Sequence, residues 1–233
     1  MSSDSDGDEN KVRPLSECAR RVLGVLVEKA KTTPDNYPLT LASLISGSNQ
    51  KSNRSPKMDV DDEDVLLALD ELKAAGAARE IQGSGRAVKY RHAAYDWFGI
   101  DGPGSAVITE LLLRGPQTIG ELRTRASRMH PFDDLAATQT CVDDLIAKGL
   151  VEAVTPAGRG QMYAHTLYPP VERQYLNARI EKQAAAEAAS SSSSSTSKPS
   201  GPSSNPVDAL MARLDTVNER IDALEQRIAE LES

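Results

Sequence analysis

The feature that most constrains this chain is that its central block repeats itself. ALDELKAAGAAREI (68–81) aligns with CVDDLIAKGLVEAV (141–154) at an offset of 73, and the offset continues through Gly85/Gly158, Arg86/Arg159, Tyr90/Tyr163 and His92/His165. Upstream, Pro38-Leu39-Thr40-Leu41 aligns with Pro116-Gln117-Thr118-Ile119 at an offset of 78, so the first copy carries five extra residues in the loop between. ARRVLGVLVEKA (19–30) faces GSAVITELLLRG (104–115) in the same order. A length of 233 residues is therefore divided into two copies of one small unit with flanking segments, and any fold for the block must be one that a chain can make twice.

One copy reads as helices followed by a hairpin. Ser16 caps a helix to about Lys31, with Val22, Leu23, Leu26 and Ala30 on one face at helical spacing. Thr40 opens a second, short helix ending near Gly47. The acidic run Asp61–Asp64 suits the first turn of a third, whose buried stripe is Leu66, Leu69 and Leu72 and whose stop is Gly76. Residues 77–82 and 87–92 then read as strands joined by a Gly-rich turn. In the second copy the helices fall at 104–114, 118–128 and 134–148, with the hairpin tip around residues 156–160. Three helices and a two-stranded hairpin are the layout of a winged helix, a helix-turn-helix variant. The expected fold is mainly α with small β-hairpins (α+β). Residues 13–98 form the first winged helix, 99–172 the second, and 173–189 a helical extension.

The flanks obey other rules. Residues 1–12 are acidic and aperiodic, and 190–206 form a Ser/Pro/Gly tract; neither can bury enough apolar surface to offset its ordering entropy. Beyond the tract, Val207, Leu210, Leu214, Val217, Ile221, Leu224, Ile228 and Leu231 keep an unbroken heptad over 207–232. β-branched residues at a and mostly Leu at d predict a parallel homodimer, with Arg220 and Arg227 facing Glu225 and Glu232 of the partner helix. No apolar stretch reaches membrane-spanning length and the acidic start does not resemble a signal peptide, so no membrane contact and a cytoplasmic location are expected. Cys18 and Cys141 show no metal-ligand or disulfide spacing and read as buried helix residues; no cofactor or metal is expected.

TTPDNYPLTLASLISGSNQKSNRSP (32–56), preceded by RVLGVLVEKA (21–30), resembles the YceH-like family, uncharacterised bacterial proteins also catalogued as a UPF family. LLLRGPQTIGELRTRASRMHPF (111–132) is similar to that family's second domain, so the resemblance covers residues 14–168. It implies a tandem winged-helix fold with no assigned enzyme activity. The sequence departs from the family at Cys18, where a Glu is usual, and at Ala42-Ser43, where Asn-Ala is usual.

Three functions compete. Duplex DNA binding would use Asn49, Gln50, Lys51, Asn53 and Arg54 of the loop, Arg86, Lys89 and Arg91 of the first wing, and Arg123, Arg125, Arg128 and Arg159 of the second copy. On that expectation Lys51→Glu with Arg54→Glu abolishes DNA retention without altering stability. Against it, the third helix should enter the groove, yet its start carries Asp59, Asp61, Asp62, Glu63 and Asp64, and Asp133-Asp134 sit at the matching place. A protein-interaction scaffold is the alternative. An enzyme finds little support, because no nucleophile-elbow, phosphate-loop or metalloprotease motif is present, and the repetition of His92 as His165 favours packing over catalysis. The net charge of −7 does not decide: residues 1–10 and 181–233 each carry −4, whereas 11–98 carry +2 and 99–180 carry −1.

Overall fold

A computed structural model describes residues 12–82, 87–158 and 160–192, the backbone alone from 183 onward. The first copy runs α1 (Glu17–Thr32), β1 (Leu39–Thr40), α2 (Leu41–Ser48), α3 (Asp62–Ala74), β2 (Ala78–Gln82) and β3 (Val88–His92). A short helix α4 (Ala94–Phe98) leads into the second copy, α5 (Gly102–Arg114), β4 (Gln117–Thr118), α6 (Ile119–Ala126), α7 (Leu135–Ala147), β5 (Val151–Ala153) and β6 (Met162–His165). The helix α8 (Pro170–Ser192) follows. The described residues thus form a mixed α+β structure of eight helices and two small antiparallel sheets. No described helix is long and apolar enough to cross a membrane.

The repeat in the sequence is also a repeat in strand register. The first sheet has the order β1-β3-β2 and the second β4-β6-β5. Leu39 pairs with Tyr90 and Ala78 with His92; in the second sheet Gln117 pairs with Tyr163 and Val151 with His165. Each pair maps onto its counterpart by the offsets of 78 and 73 found in the sequence. Tyr90 and Tyr163 are both buried, so the matched register puts the same residue type on the core face twice. The two-residue strands β1 and β4, and α4, were not expected, because segments so short show no periodicity. Likewise α8 starts three residues before the expected extension and continues three residues into the Ser-rich tract: proline is tolerated in a first helical turn, and serine costs a helix little.

Local chemistry places each helix start. Ser16 Oγ accepts from the Ala19 N–H at 3.2 Å, and Glu71 of α3 accepts from both the Ser16 N–H and its hydroxyl. Asp61 and Asp64 form a reciprocal capping box on α3, and Thr118 and Glu121 form another on α6. Asp101 and Asp134 cap α5 and α7.

The two copies share one core. Every residue of α1 from Ala19 to Glu28 is buried, as is every residue of α5 from Gly104 to Leu113, because the two helices pack on each other as well as on their own repeats. Contact is so close at Gly24 that a Cβ there would sit 2.9 Å from Leu113 Cδ2. Backbone bonds tie the copies further, Leu15 N–H donating to Leu167 O and Ser55 N–H to Leu113 O. The heptad segment 207–232 and the acidic segment 1–11 lie outside the described residues.

Candidate functional site

Several of the side chains expected to face DNA instead build a buried charge network where the copies meet. Glu28 of α1 is 1 % exposed and Glu110 of α5 is 0 % exposed. Arg54 clasps Glu28, Nη2 to Oε2 at 2.5 Å and Nη1 to Oε1 at 3.2 Å, and its Nε–H donates to Gly47 O. Arg128 reaches both carboxylates, with Nη1 2.5 Å from Glu28 Oε1 and Nη2 2.7 Å from Glu110 Oε1. Arg114 Nε stands 3.1 Å from Glu110 Oε2, an ion pair without hydrogen-bond alignment, and its Nη2 donates to Asn53 Oδ1. Burial by itself would raise the Glu28 pKa; the charges of Arg54, Arg128 and Lys29 hold it below the ordinary carboxylate value.

The structure gives most of the described side chains expected at DNA partners within the chain itself. Arg54 has a fully buried guanidinium and Arg128 spends its guanidinium on two buried carboxylates, so neither presents charge to a phosphate. Asn49 does not offer its amide to a base: it donates to Val60 O and accepts from the Val60 N–H, closing the loop 49–60. Asn53, in the left-handed region at φ 61°, receives Arg114. Arg125 is held by Glu121 and Gln117, and Arg123 donates to Asp133 O. Gln50 is half-buried. Lys51, Lys89 and Arg91 pair with no carboxylate among the described residues, and Arg86 and Arg159 lie outside them.

Two surface faces remain. Across the first hairpin Arg79 lies opposite Arg91, and Lys89 opposite Ile81 and Thr40, so Arg79, Lys89 and Arg91 share the sheet face away from buried Tyr90. Sequence reasoning missed Arg79, which strand register would have found. On α3 the buried face is Val65, Ala68, Leu69 and Leu72, so Leu66, expected in the buried stripe, is instead 41 % exposed and Leu67 64 %, on a helix that also carries Asp62, Glu63 and Asp70.

The remaining chemistry-bearing groups are engaged in packing. His92 and His165 each accept at Nδ1 from the N–H two residues on, Ala94 and Leu167, which makes them equivalent strand-end residues. Cys18 and Cys141 are half-buried rather than buried, and desolvation still pushes both up to about 11, so at neutral pH each keeps its proton.

The family described as "Protein of unknown function, DUF480" matches residues 15–168, the span that holds both copies and the charge network. The chain belongs to that family. This DUF480 protein is 68% identical over 185 residues to a UPF0502 protein of Rhodopirellula baltica, covering 79% of this chain and 78% of that one. It is 49% identical over 157 residues to a UPF0502 protein of Geobacter metallireducens, with 66% and 72% covered. A UPF0502 protein of Leptothrix cholodnii is 40% identical over 164 residues, with 69% and 73% covered.

Proposed function

We propose that this DUF480 protein is a non-enzymatic tandem winged-helix module that docks a basic, apolar-edged segment of another protein on α3. Supporting the winged-helix reading, each copy has helix, strand, two helices and a hairpin in that order, with the short strand completing a three-stranded sheet. α3 is then the helix that a DNA reader would lay in the major groove. The observation that carries the protein reading is the exposure of Leu66 and Leu67 on that helix beside Asp62, Glu63 and Asp70. Leucines gain little from phosphates, and the carboxylates repel them, whereas a cationic amphipathic segment satisfies both. The heptad at 207–232 adds a parallel homodimer to this reading, doubling the number of docking faces.

Leu66→Glu with Leu67→Glu tests it. Both side chains already face solvent, so the fold should survive. After nuclease treatment the wild-type chain should retain a protein partner from lysate that the double variant loses. Equal retention by both would remove α3 from the interaction. Loss of residues 207–232 should halve the mass measured by light scattering, and a full-length monomer at tens of micromolar would refute the dimer.

A second reading, duplex DNA held by the first hairpin, rests on the pairing of Arg79 with Arg91. Like charges directly opposite on one sheet face destabilise it unless an anion lies over them. Retention on duplex DNA that weakens steeply with salt, and is lost in Lys89→Glu with Arg91→Glu, would favour that reading.

A further inference from the structure

A cavity of about 420 Å³ opens between α1, α5 and the start of α8, lined by both copies. Its size is that of a small-molecule site. Arg21 is its most unusual wall. Only 2 % of Arg21 is exposed, yet no carboxylate of the described residues lies within ion-pair distance. Nη1 donates to Ser48 O at 3.1 Å and Nη2 to Pro56 O at 2.7 Å, while the buried Nε–H has no partner. Two carbonyls, one from the last residue of α2, satisfy part of the hydrogen bonding, while the charge is offset only from a distance, by exposed Glu17, which favours its protonated form. A buried cation without a close counter-charge is costly. Burial, followed by the nearby charge of Arg54, lowers the Arg21 pKa to about 10, which still leaves it protonated at neutral pH.

The rest of the lining extends the pattern. Arg20, Arg114 and Arg179 bring three more guanidinium groups to the walls, against Glu17 and Glu172. Arg20 is paired with Glu172 and stacks over the Tyr168 ring at 4.8 Å; Arg114 is paired with Glu110. Arg179 is exposed, and so is Glu17, one turn before Arg21 on α1. His165 accepts at Nδ1 from the Leu167 N–H, which places its proton on Nε2, and its ring stacks on Tyr168 with centroids 4.1 Å apart. Leu111, Leu112 and Leu176 supply apolar wall.

From this geometry we infer that the cavity is a binding site for a small organic anion, a phosphate monoester or a carboxylate carried on an apolar body. The anionic head meets the guanidinium of Arg21, which has given only two of its five N–H groups to carbonyls and has no ion-pair partner among the described residues. The apolar body lies along Tyr168 and the leucines. Because α1, α5 and α8 all contribute, an occupant stabilises their packing in proportion to its affinity. The site is independent of α3 and of the hairpin, so it stands or falls apart from the function proposed above.

Phenyl phosphate, benzoate and inorganic phosphate, titrated calorimetrically into the full-length protein, test the inference. Saturable binding of phenyl phosphate or benzoate is expected, and which of the two binds more tightly identifies the head group. Phenyl phosphate should bind more tightly than inorganic phosphate; equal affinities would refute the apolar body. Arg21→Gln should weaken binding about tenfold or more. If that variant does not fold, Arg179→Glu decides, since Arg179 is exposed and its reversal should weaken binding of the same anion by a similar factor. Lys51→Glu should leave affinity unchanged. No saturable binding by the wild type, or binding unaffected in Arg179→Glu, overturns the inference.

Discussion

Arg128, just beyond the end of α6 in the second copy, places Nη1 2.5 Å from Glu28 Oε1 of α1 in the first copy. Glu28 is buried and also holds Arg54, so this one carboxylate neutralises a cation from each repeat. Glu28→Gln keeps the shape and removes the charge. It leaves the buried Arg54 guanidinium unpaired, and a loss of about 3 to 5 kcal/mol is expected from urea denaturation at neutral pH. Arg128, with a side chain 31 % exposed, contributes less of that loss. The Glu28 pKa is depressed below 4.5, so its stabilisation is complete above that value and disappears as the pH falls through the folded-state pKa. The variant should therefore lose stability less steeply below pH 4.5 than the wild type does.

Gly24 packs directly against Leu112 and Leu113 of α5. A Cβ would meet Leu113 Cδ2 at 2.9 Å and Leu112 Cβ at 3.3 Å. Gly24→Val forces the two helices apart in a core that both copies share, and a cost of about 1 to 3 kcal/mol is expected. The change in thermal midpoint measures it. A neutral or stabilised Gly24→Val would mean that the α1–α5 contact yields more readily than the geometry allows.

Two desolvated histidines, His165 buried and His92 half-buried, make stability depend on mild acid. Desolvation, then the charge of Arg20, lowers His165 from 6.5 to about 3; desolvation, then Arg91 and Lys31, lowers His92 to about 4. Both are neutral in the fold, whereas the unfolded chain takes up protons below pH 6.5. Stability is thus fullest above 6.5 and falls as the pH drops toward the folded values. At pH 5 each histidine accounts for a loss of about 2 kcal/mol. Urea midpoints at pH 7.5 and 5.0 should differ markedly in the wild type and by less in His92→Asn, and a pH-independent midpoint would contradict the desolvation of both rings.

Periodicity and repetition exposed the helices of each copy, the hairpins and their duplication, because each is a local pattern long enough to count; α4 is too short to show one. Partnership between charges was not exposed. The loop residues Asn49, Asn53 and Arg54 look like a nucleic-acid contact when read as a polar string, and nothing local says that Arg54 turns inward to Glu28. A signal was present in α1 itself. The run from Val22 to Val27 has no polar face, a sign of burial on all sides, and Glu28 at its end had to be buried with a cation. Glu110, within Ser105–Leu113 of α5, carries the same signature. The cavity at Arg21 was illegible for another reason: its walls come from α1, α5, α8 and two loops, and no sequence window contains them.

The two arginines first expected to act alike on DNA should behave oppositely when reversed. Arg54→Glu sets a second carboxylate beside Glu28 inside the core, where neither has water, so Lys51→Glu with Arg54→Glu should unfold the protein or lower its midpoint severely. Its loss of any binding would then report on folding. Lys89→Glu with Arg91→Glu acts on the solvent-facing side of the hairpin and removes the repulsion between Arg79 and Arg91. The stability of that variant should stay within about 0.5 kcal/mol of the wild type's or rise, leaving its thermal midpoint little changed or higher. Far-ultraviolet circular dichroism during a thermal ramp separates the two. A folded Lys51→Glu, Arg54→Glu protein with an unchanged midpoint would show that the Glu28–Arg54 pair is not buried in solution.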